Sequence, residues 1–590
     1  MVNNIKNKKN IAAIIFSLWK YFPRKRKIQF FFISALMMLN GFSEIFLLAS
    51  ILPFIKVITN PQSINNNKTI EYLIDLFNIG NNSILYITII FIISIYLASG
   101  LRILTLWLSG RYASGLGTDL SLICFEKIIN QSYEYHLNKN SSNLISLISK
   151  DITSTVSIIQ NIINMLTAII SLIFISAGVF IIDRNIFLLT VFCFLGSYFL
   201  IILNSKKQLK INSKKIIFLN TNQVKILQES LGSIKDIILN NLYKYYFKNF
   251  KANEYKIRRI ATQNKFISLF PRYAIEGVSL SFIALLSFII AINQKNGVIS
   301  IERVGVLAIG AQRLLPNFQL IYSYWTNIQS NKMALVRVLD CIDKNFYKDT
   351  NLKVEKIIFE RSIELKNAFF QYDKNSNKKI INGVNLSILK GDKIGIIGES
   401  GCGKSTLLDI LNGLLKPQSG NLYIDGIPIY GKDDLNKIKM YRKIISYVPQ
   451  NIFLTDNSIA ENIAFGIDKN MIDFNRLNEI VKIVELYDFI HSNNQKYDLK
   501  VGEKGIRLSG GQLQRIGIAR ALYNKSEIIF LDEATSALDN KTEKKIISRL
   551  NNLGNNITLI MIAHRLSSLN SCNKILEFKG GEVYLKKNNS

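Results

Sequence analysis

The sequence predicts a membrane-spanning α-helical half followed by an α/β domain built on a phosphate-binding loop. Three observations lead there. Apolar runs of spanning length crowd into residues 28–330, the stretch Lys393–Leu415 reads as strand, glycine-rich turn and helix, and an LSGGQ segment stands at Leu508–Gln512. At 590 residues the chain is too long for one compact core. Its 48% of hydrophobic residues and positive mean hydropathy are high for a wholly soluble protein.

A formal net charge of +31 could suit a nucleic-acid partner, but the charge is placed for a membrane. Residues 1–27 hold eight Lys or Arg and no acid, and Ser205–Lys265 holds fourteen basic residues against three acidic ones. Basic segments beside apolar runs follow the positive-inside pattern and favour an anionic cytoplasmic leaflet, so no nucleic-acid partner is expected. The five cysteines, at 124, 193, 341, 402 and 572, show no CxxC or metal-ligand spacing and are expected as reduced thiols. Only three histidines occur, which argues against a zinc site or a cysteine–histidine peptidase module.

Six spans are expected near 28–55, 84–108, 158–182, 185–204, 266–292 and 303–324, each near the 20 residues that cross a bilayer. Arg313 and Pro316 interrupt the last. An even count puts both chain ends in the cytoplasm, as the basic amino terminus and the phosphate loop require. Asp183-Arg184 makes a tight outer turn, whereas long polar inserts with helical periodicity follow spans two and four. Those inserts predict two cytoplasmic helical extensions, with tips at Tyr133–Ser141 and Glu229–Asn240.

Before the first span, Ile11, Ile14, Ile15, Leu18, Trp19 and Phe22 share one helix face, which predicts an interfacial helix on the cytoplasmic leaflet. In the outer loop 56–83, Ile70, Leu73, Ile74 and Phe77 predict a short amphipathic helix. Within spans, Glu44, Arg272, Glu276 and Arg313 each cost a few kcal/mol unless paired, snorkelling or facing a cavity.

In the carboxy-terminal half, Gly398-x-x-x-x-Gly403-Lys404-Ser405 follows a strand and opens a helix. That context makes it a phosphate loop: glycines let backbone N–H groups close on phosphate, and the helix dipole adds to the field. Lys404 is expected to reach the β- and γ-phosphates and Ser405 to ligate Mg²⁺. The apolar strand Ile528–Leu531 ends in Asp532-Glu533, which places Asp532 to hold the metal through water and Glu533 as general base for the attacking water. The Ser-Gly-Gly run of Leu508–Gln512 opens a second helix whose amino terminus can bind an anion.

The order of phosphate loop, Gln450, LSGGQ, LDEATSALD at 531–539 and His564 resembles the ATPase domain of ABC transporters. The resemblance implies an ATP site shared by two subunits. The backbone of Gly398, Glu399, Ser400, Gly401, Cys402 and Gly403, with Lys404, Ser405 and Thr406, would hold the phosphates, and Tyr372 would stack on adenine. Ser509, Gly510, Gly511 and Gln512 would close over ATP in trans. Gln450 would sense Mg²⁺ and water, His564 would contact the γ-phosphate and orient the water, and Asp539 would lie on the dimer-facing loop. Since these positions match the family's, both sites of a homodimer are expected to be competent.

The whole chain resembles an exporter-type ABC half-transporter. The implied fold is a six-span exporter domain fused to an α/β ABC ATPase domain, acting as a homodimer in a bacterial cytoplasmic membrane. The expected organisation is an interfacial helix over 1–27, the transmembrane domain over 28–330, a linker over 331–351 and the nucleotide-binding domain over 352–590. PRYAIEG at 271–277, QRLLP at 312–316, GESGCGKST and KPQSG at 416–420 resemble the bacterial lipid-linked oligosaccharide flippases of protein N-glycosylation. That likeness implies membrane lipids as partners and a lipid-linked glycan as substrate, its pyrophosphate met by Arg272 and Arg313. An exporter of another lipid, a peptide or an amphipathic drug is the alternative.

Overall fold

The structure, a computed structural model, describes the chain outside residues 1–10, 60–82, 183, 294–300, 344–356, 374–378, 432–433, 553, 555–556, 564, 566–568, 570–571 and 587–590. The outer-loop helix expected around Ile70–Phe77 and the candidate His564 therefore lie outside the described residues. Two compact units form. One comprises Met1–Gln131 with Asn138–Phe346, the other Ser132–Leu137 with Tyr347–Ser590.

The first unit is helical. It contains α1 (Ile11–Trp19), α2 (Arg24–Thr59), α3 (Ser83–Ile129), α5 (Ser141–Ser146), α6 (Ile152–Ile182), α7 (Arg184–Gly232), α8 (Ile234–Leu239), α9 (Tyr243–Asn293) and α10 (Ile301–Asp343). The short α4 (Tyr133–Leu137) belongs to the other unit. At 1.5 Å per residue the 47 residues of α3 and the 49 of α7 run about 70 Å. That is roughly twice the ~30 Å hydrocarbon core, which leaves room for the long extensions the inserts predict.

Among the described residues, three stretches are long and apolar enough to cross a membrane: Arg24–Ile51, Ile87–Ile129 and Ser141–Ile181. They carry the first three expected spans. The fourth to sixth expected spans fall on α7, α9 and α10, in each of which part of the apolar stretch has side chains outside the described residues. Pro316, expected to interrupt the last span, sits inside unbroken α10, where the neighbouring Leu314 and Phe318 are buried. Packing there outweighs the one backbone hydrogen bond that proline removes.

Close approach of α2 and α6 is set by Gly41, where a Cβ would come within 2.4 Å of the Phe174 ring. A second cluster joins α1, α2, α3 and α10 through Ile14, Leu18, Met37, Tyr112, Leu116 and Leu335. Ile14 and Leu18 are each only 1% exposed, so at these two positions the apolar face of the expected interfacial helix is covered by protein, although Phe16 stays outward. Between α5 and α6, Leu147–Asp151 adopts a π-helical turn. Arg337 of α10 pins it, pairing with the Asp151 carboxylate at 3.0 Å and donating to the Asn143 carbonyl at 3.2 Å. The burial of Leu335, Val338, Leu339 and Ile342 carries α10 on to Asp343, so the first part of the expected linker 331–351 is helical.

The second unit is α/β. A four-stranded antiparallel sheet runs in the order β2 (Ile381–Leu389), β1 (Ser362–Phe370), β4 (Ser419–Ile424), β5 (Ile427–Pro428). A six-stranded sheet runs β10 (Glu582–Lys586), β9 (Lys574–Lys579), β3 (Lys393–Ile397), β8 (Thr558–Ile562), β7 (Ile528–Asp532), β6 (Ile445–Val448). All its pairs are parallel except β10 with β9. The centre is continuous hydrophobe, since every residue of β7 and β8 is buried, as parallel strands covered on both faces require. Around the sheets lie α11 (Lys404–Leu411), α12 (Asp434–Arg442), α13 (Ile459–Ile463), α14 (Phe474–Ile483), α15 (Tyr487–His491), α16 (Gly510–Tyr523) and α17 (Asn540–Asn551). This order brings the carboxyl ends of β3, β6 and β7 to one edge, the place where parallel α/β sheets bind ligands.

Candidate functional site

The phosphate loop joins β3 to α11. Gly403 is its hinge: it has φ +117°, and a Cβ there would meet Ile380 Cγ2 at 2.7 Å. Only glycine fits such a turn without strain. Lys404 is 6% exposed and donates from Nζ to the carbonyls of Gly398 and Glu399, both at 2.8 Å, so its ammonium is held over the loop. Across the sheet edge, Asp532 ends β7 at 4% exposure. The Ser405 hydroxyl bonds its carboxylate, and the Tyr447 hydroxyl donates to Oδ2 at 3.3 Å. Burial pushes the Asp532 carboxyl up and these two hydrogen bonds oppose it. Asp409, one turn along α11, is pushed up to about 6 by burial and by the charge of Asp532.

Glu533 stands next in the chain with φ +50°, a left-handed conformation that is strained for a side chain of this kind. Its amide is held by the Ile562 carbonyl at 3.2 Å. Gln450, just past β6, donates from Nε2 to Glu533 Oε2 at 2.7 Å. That bond occupies the amide nitrogen and leaves the Gln450 carbonyl oxygen for another partner. With the Ser405 hydroxyl and the Asp532 carboxylate it makes an all-oxygen donor set, which suits Mg²⁺. Among the described residues no cluster of three His, Cys, Asp or Glu suggests a different metal site.

Tyr372 follows β1, is 49% exposed, and hydrogen-bonds Thr406 through its hydroxyl at 3.2 Å. Edge-on packing against Phe370, with centroids 5.1 Å apart, holds its ring. The structure thus brings Lys404, Ser405, Thr406, Gln450, Asp532 and Glu533 to the carboxyl ends of the six-stranded sheet, and Tyr372, from the end of β1 in the other sheet, joins them through Thr406.

The LSGGQ segment is organised separately. Ser509 caps α16 and forms a capping box with Gln512: Gln512 N–H donates to Ser509 Oγ at 3.2 Å and Ser509 N–H to Gln512 Oε1 at 2.9 Å. Gly510 and Gly511 lie against Ala537 and Leu538 of the LDEATSALD loop. Asp539 caps α17, accepting from Thr542 N–H at 2.9 Å. The link from α16 to Glu533 runs through buried Gln514, whose Oε1 accepts from Ala537 N–H at 2.8 Å and whose Nε2 donates to Ser536 Oγ at 3.0 Å. Gln514, Tyr447 and Asp409 escape a motif search. Gln514 leaves a signal in being a polar side chain on the apolar face of α16, and Tyr447 in lying three residues before Gln450.

In the helical unit, Glu44 is 1% exposed and pairs with Arg102 of α3, whose Nε lies 2.6 Å from Oε1. The ion pair expected for Glu44 is therefore present, with a partner inside the second expected span that sequence reasoning overlooks. Arg272 is exposed on α9, its guanidinium 5.8 Å from the Tyr273 ring. Arg313 lies on α10 with its side chain outside the described residues.

A phosphate-loop sheet bearing a buried strand-end aspartate, a glutamate held by Gln450 and a second glycine-led helix terminus resembles an ATP-hydrolysing domain of the ABC type. Residues 381–536 match the family model for ABC transporters. Over 265 residues the chain is 38% identical to a putative export ATP-binding/permease protein of Rickettsia typhi, a match covering 45% of each. An ABC multidrug transporter of Aspergillus fumigatus is 36% identical over 269 residues, 45% of this chain and 19% of that protein. These matches span less than half the length of the curated relatives. In fold, the chain is similar to a bacterial Atm1-family ABC exporter with ATP bound: TM-score 0.77, 20% identity, 95% of each chain covered.

Proposed function

We propose that the protein is an ATP-driven exporter that works as a homodimer in a bacterial cytoplasmic membrane, with six spans per chain and its ATPase domain in the cytoplasm. The observation that carries this reading is the Gln450–Glu533–Asp532–Ser405 cluster, joined in one chain to helices of membrane length. Glu533 takes the proton of the attacking water, Gln450 fixes the direction of its carboxylate, and Lys404 neutralises phosphate charge. Mg²⁺, bound by Ser405, Gln450 and Asp532, would supply electrophilic stabilisation of the transferred phosphoryl group. Ser509, Gly510, Gly511 and Gln512 of one subunit would close on ATP held by the other. Hydrolysis reopens that interface and the helical unit alternates its access.

For the cargo, the reading best supported by the residues is a polyprenyl-pyrophosphate-linked oligosaccharide, flipped outward. Its support is the PRYAIEG and QRLLP segments, in which Arg272 and Arg313 offer the guanidinium geometry that suits phosphate. An amphipathic drug is the second reading, favoured by the likeness to a multidrug transporter. In reconstituted vesicles, Arg272→Ala or Arg313→Ala is expected to reduce glycolipid translocation more than ATP hydrolysis. Translocation equal to wild type in both variants, or stimulation of hydrolysis by amphipathic drugs alone, rejects the glycolipid.

A further inference from the structure

A cavity of about 530 Å³ opens within one helical unit, between α2, α3, α6 and α10. That volume lies within the range of small-molecule sites, about 300–1,000 Å³. Its polar wall includes Asn40, Thr105, Asn164, Ser171, Gln312 and Asn317, and its charged residues are Glu44 and Arg102, which pair with each other. Polar groups at membrane depth are costly and mark functional sites. One of these groups is also unsatisfied. Asn40 is 2% exposed and its Nδ2 donates to Ser171 Oγ at 3.3 Å, yet its Oδ1 has no hydrogen-bond partner. A buried amide oxygen left so is costly, and a donor entering the cavity would recover that cost.

The charges decide which ligand fits. An anion entering here must compete with Glu44 for Arg102 and leave a buried carboxylate without its countercharge, a costly exchange in a medium of low dielectric. A cation must instead compete with Arg102, which is half exposed and already holds Glu44 through Nε and Nη2. An uncharged group rich in hydroxyls or amides disturbs neither, and can donate to Asn40 while exchanging hydrogen bonds with Asn164 and Ser171.

We propose that this chamber is a binding site for an uncharged, hydroxyl- and amide-bearing group of the cargo, such as an N-acetylated sugar, distinct from any site that reads phosphate. The inference takes its readout from the transport function proposed above. It divides the cargo's recognition, with the neutral polar group in the chamber and the phosphate elsewhere.

The test uses the full-length protein in lipid nanodiscs and its ATP hydrolysis, with three probes: octyl N-acetylglucosaminide below its micelle-forming concentration, free N-acetylglucosamine and octyl phosphate. The octyl glycoside is expected to stimulate hydrolysis at a concentration at least tenfold lower than octyl phosphate. Free sugar acting as well as the glycoside assigns the chamber to a soluble solute; its acting more weakly assigns it to a lipid headgroup, and either supports a neutral polar site. The double variant Asn164→Leu, Ser171→Val is expected to raise the half-stimulating concentration of the glycoside about tenfold while leaving that of octyl phosphate in place. Octyl phosphate matching the glycoside in the wild type, which needs no variant to fold, overturns the proposal, as does a double variant that responds like the wild type. Failure of the wild type to flip a polyprenyl-pyrophosphate glycan, with the glycoside response intact, rejects the flippase reading and leaves the chamber standing.

Discussion

Gln450 Nε2 and Glu533 Oε2 stand 2.7 Å apart, tying the end of β6 to the residue after β7. The bond sets the direction of the carboxylate proposed as general base. Glu533→Gln is expected to lower kcat by about 10²–10⁴-fold while ATP still binds. Gln450→Ala, which removes only the orientation, is expected to cost about 10–100-fold. Steady-state hydrolysis alongside equilibrium nucleotide binding checks both, and a Glu533→Gln protein with wild-type turnover would remove Glu533 from the chemistry.

Gln514 joins the LSGGQ helix to the loop behind Glu533 through Ala537 N–H and Ser536. Gln514→Leu leaves the Ala537 amide without its acceptor and is expected to destabilise the α/β unit by about 1–3 kcal/mol. Thermal unfolding of purified protein reads this directly. An unchanged melting temperature contradicts the buried linkage.

Two thiols of the α/β unit should respond oppositely to alkylation. Cys402, half-buried, lies in the phosphate loop with its Sγ 3.1 Å from where a Cβ on Gly398 would stand, so a maleimide there blocks phosphate entry. Cys572 is buried and its thiol is pushed up to about 11, so it stays protonated and unreactive. Alkylation is expected to abolish hydrolysis in the wild type and spare Cys402→Ala. Equal loss in Cys402→Ala would place the sensitive thiol elsewhere.

Asp425 predicts a pH effect on stability. It accepts backbone N–H bonds from Glu360, Arg361 and Ser362, each at 2.7 Å. Burial raises its carboxyl, but the three donors outweigh it and the net shift is downward. A depressed pKa means the ionised form stabilises the fold. That contribution is complete above the unfolded pKa of about 3.9 and fades as pH falls through the lower, folded value. Asp425→Ala should therefore lower the melting temperature at pH 7, by about 1–2 kcal/mol in stability. The gap between variant and wild type should close as the pH is brought below 4.

The candidate cluster was legible because its chemistry is local. Gly398–Thr406 and Asp532-Glu533 each sit at a strand end that hydrophobicity alone marks, and no long-range contact is needed to find them. Gln514 and Tyr447 escaped because their role is defined by partners far along the chain: Ser536 for one, Asp532 for the other. In the helical half the pattern placed helices well and their surroundings badly. Ile14 and Leu18 read as lipid-facing since periodicity shows which residues share a face, not whether lipid or protein covers it. Likewise Glu44 was visible as a costly charge, while its partner Arg102 depends on how α2 packs on α3.

The left-handed backbone of Glu533 sets evolution a dilemma at that position. Glycine would relieve the strain, so Glu533→Gly is expected to unfold at a higher temperature than the wild type even as it loses turnover. Selection for durability and selection for catalysis therefore pull this residue in opposite directions. A screen for heat-resistant variants of this protein that ignores hydrolysis should drift toward a rugged, idle molecule through this codon.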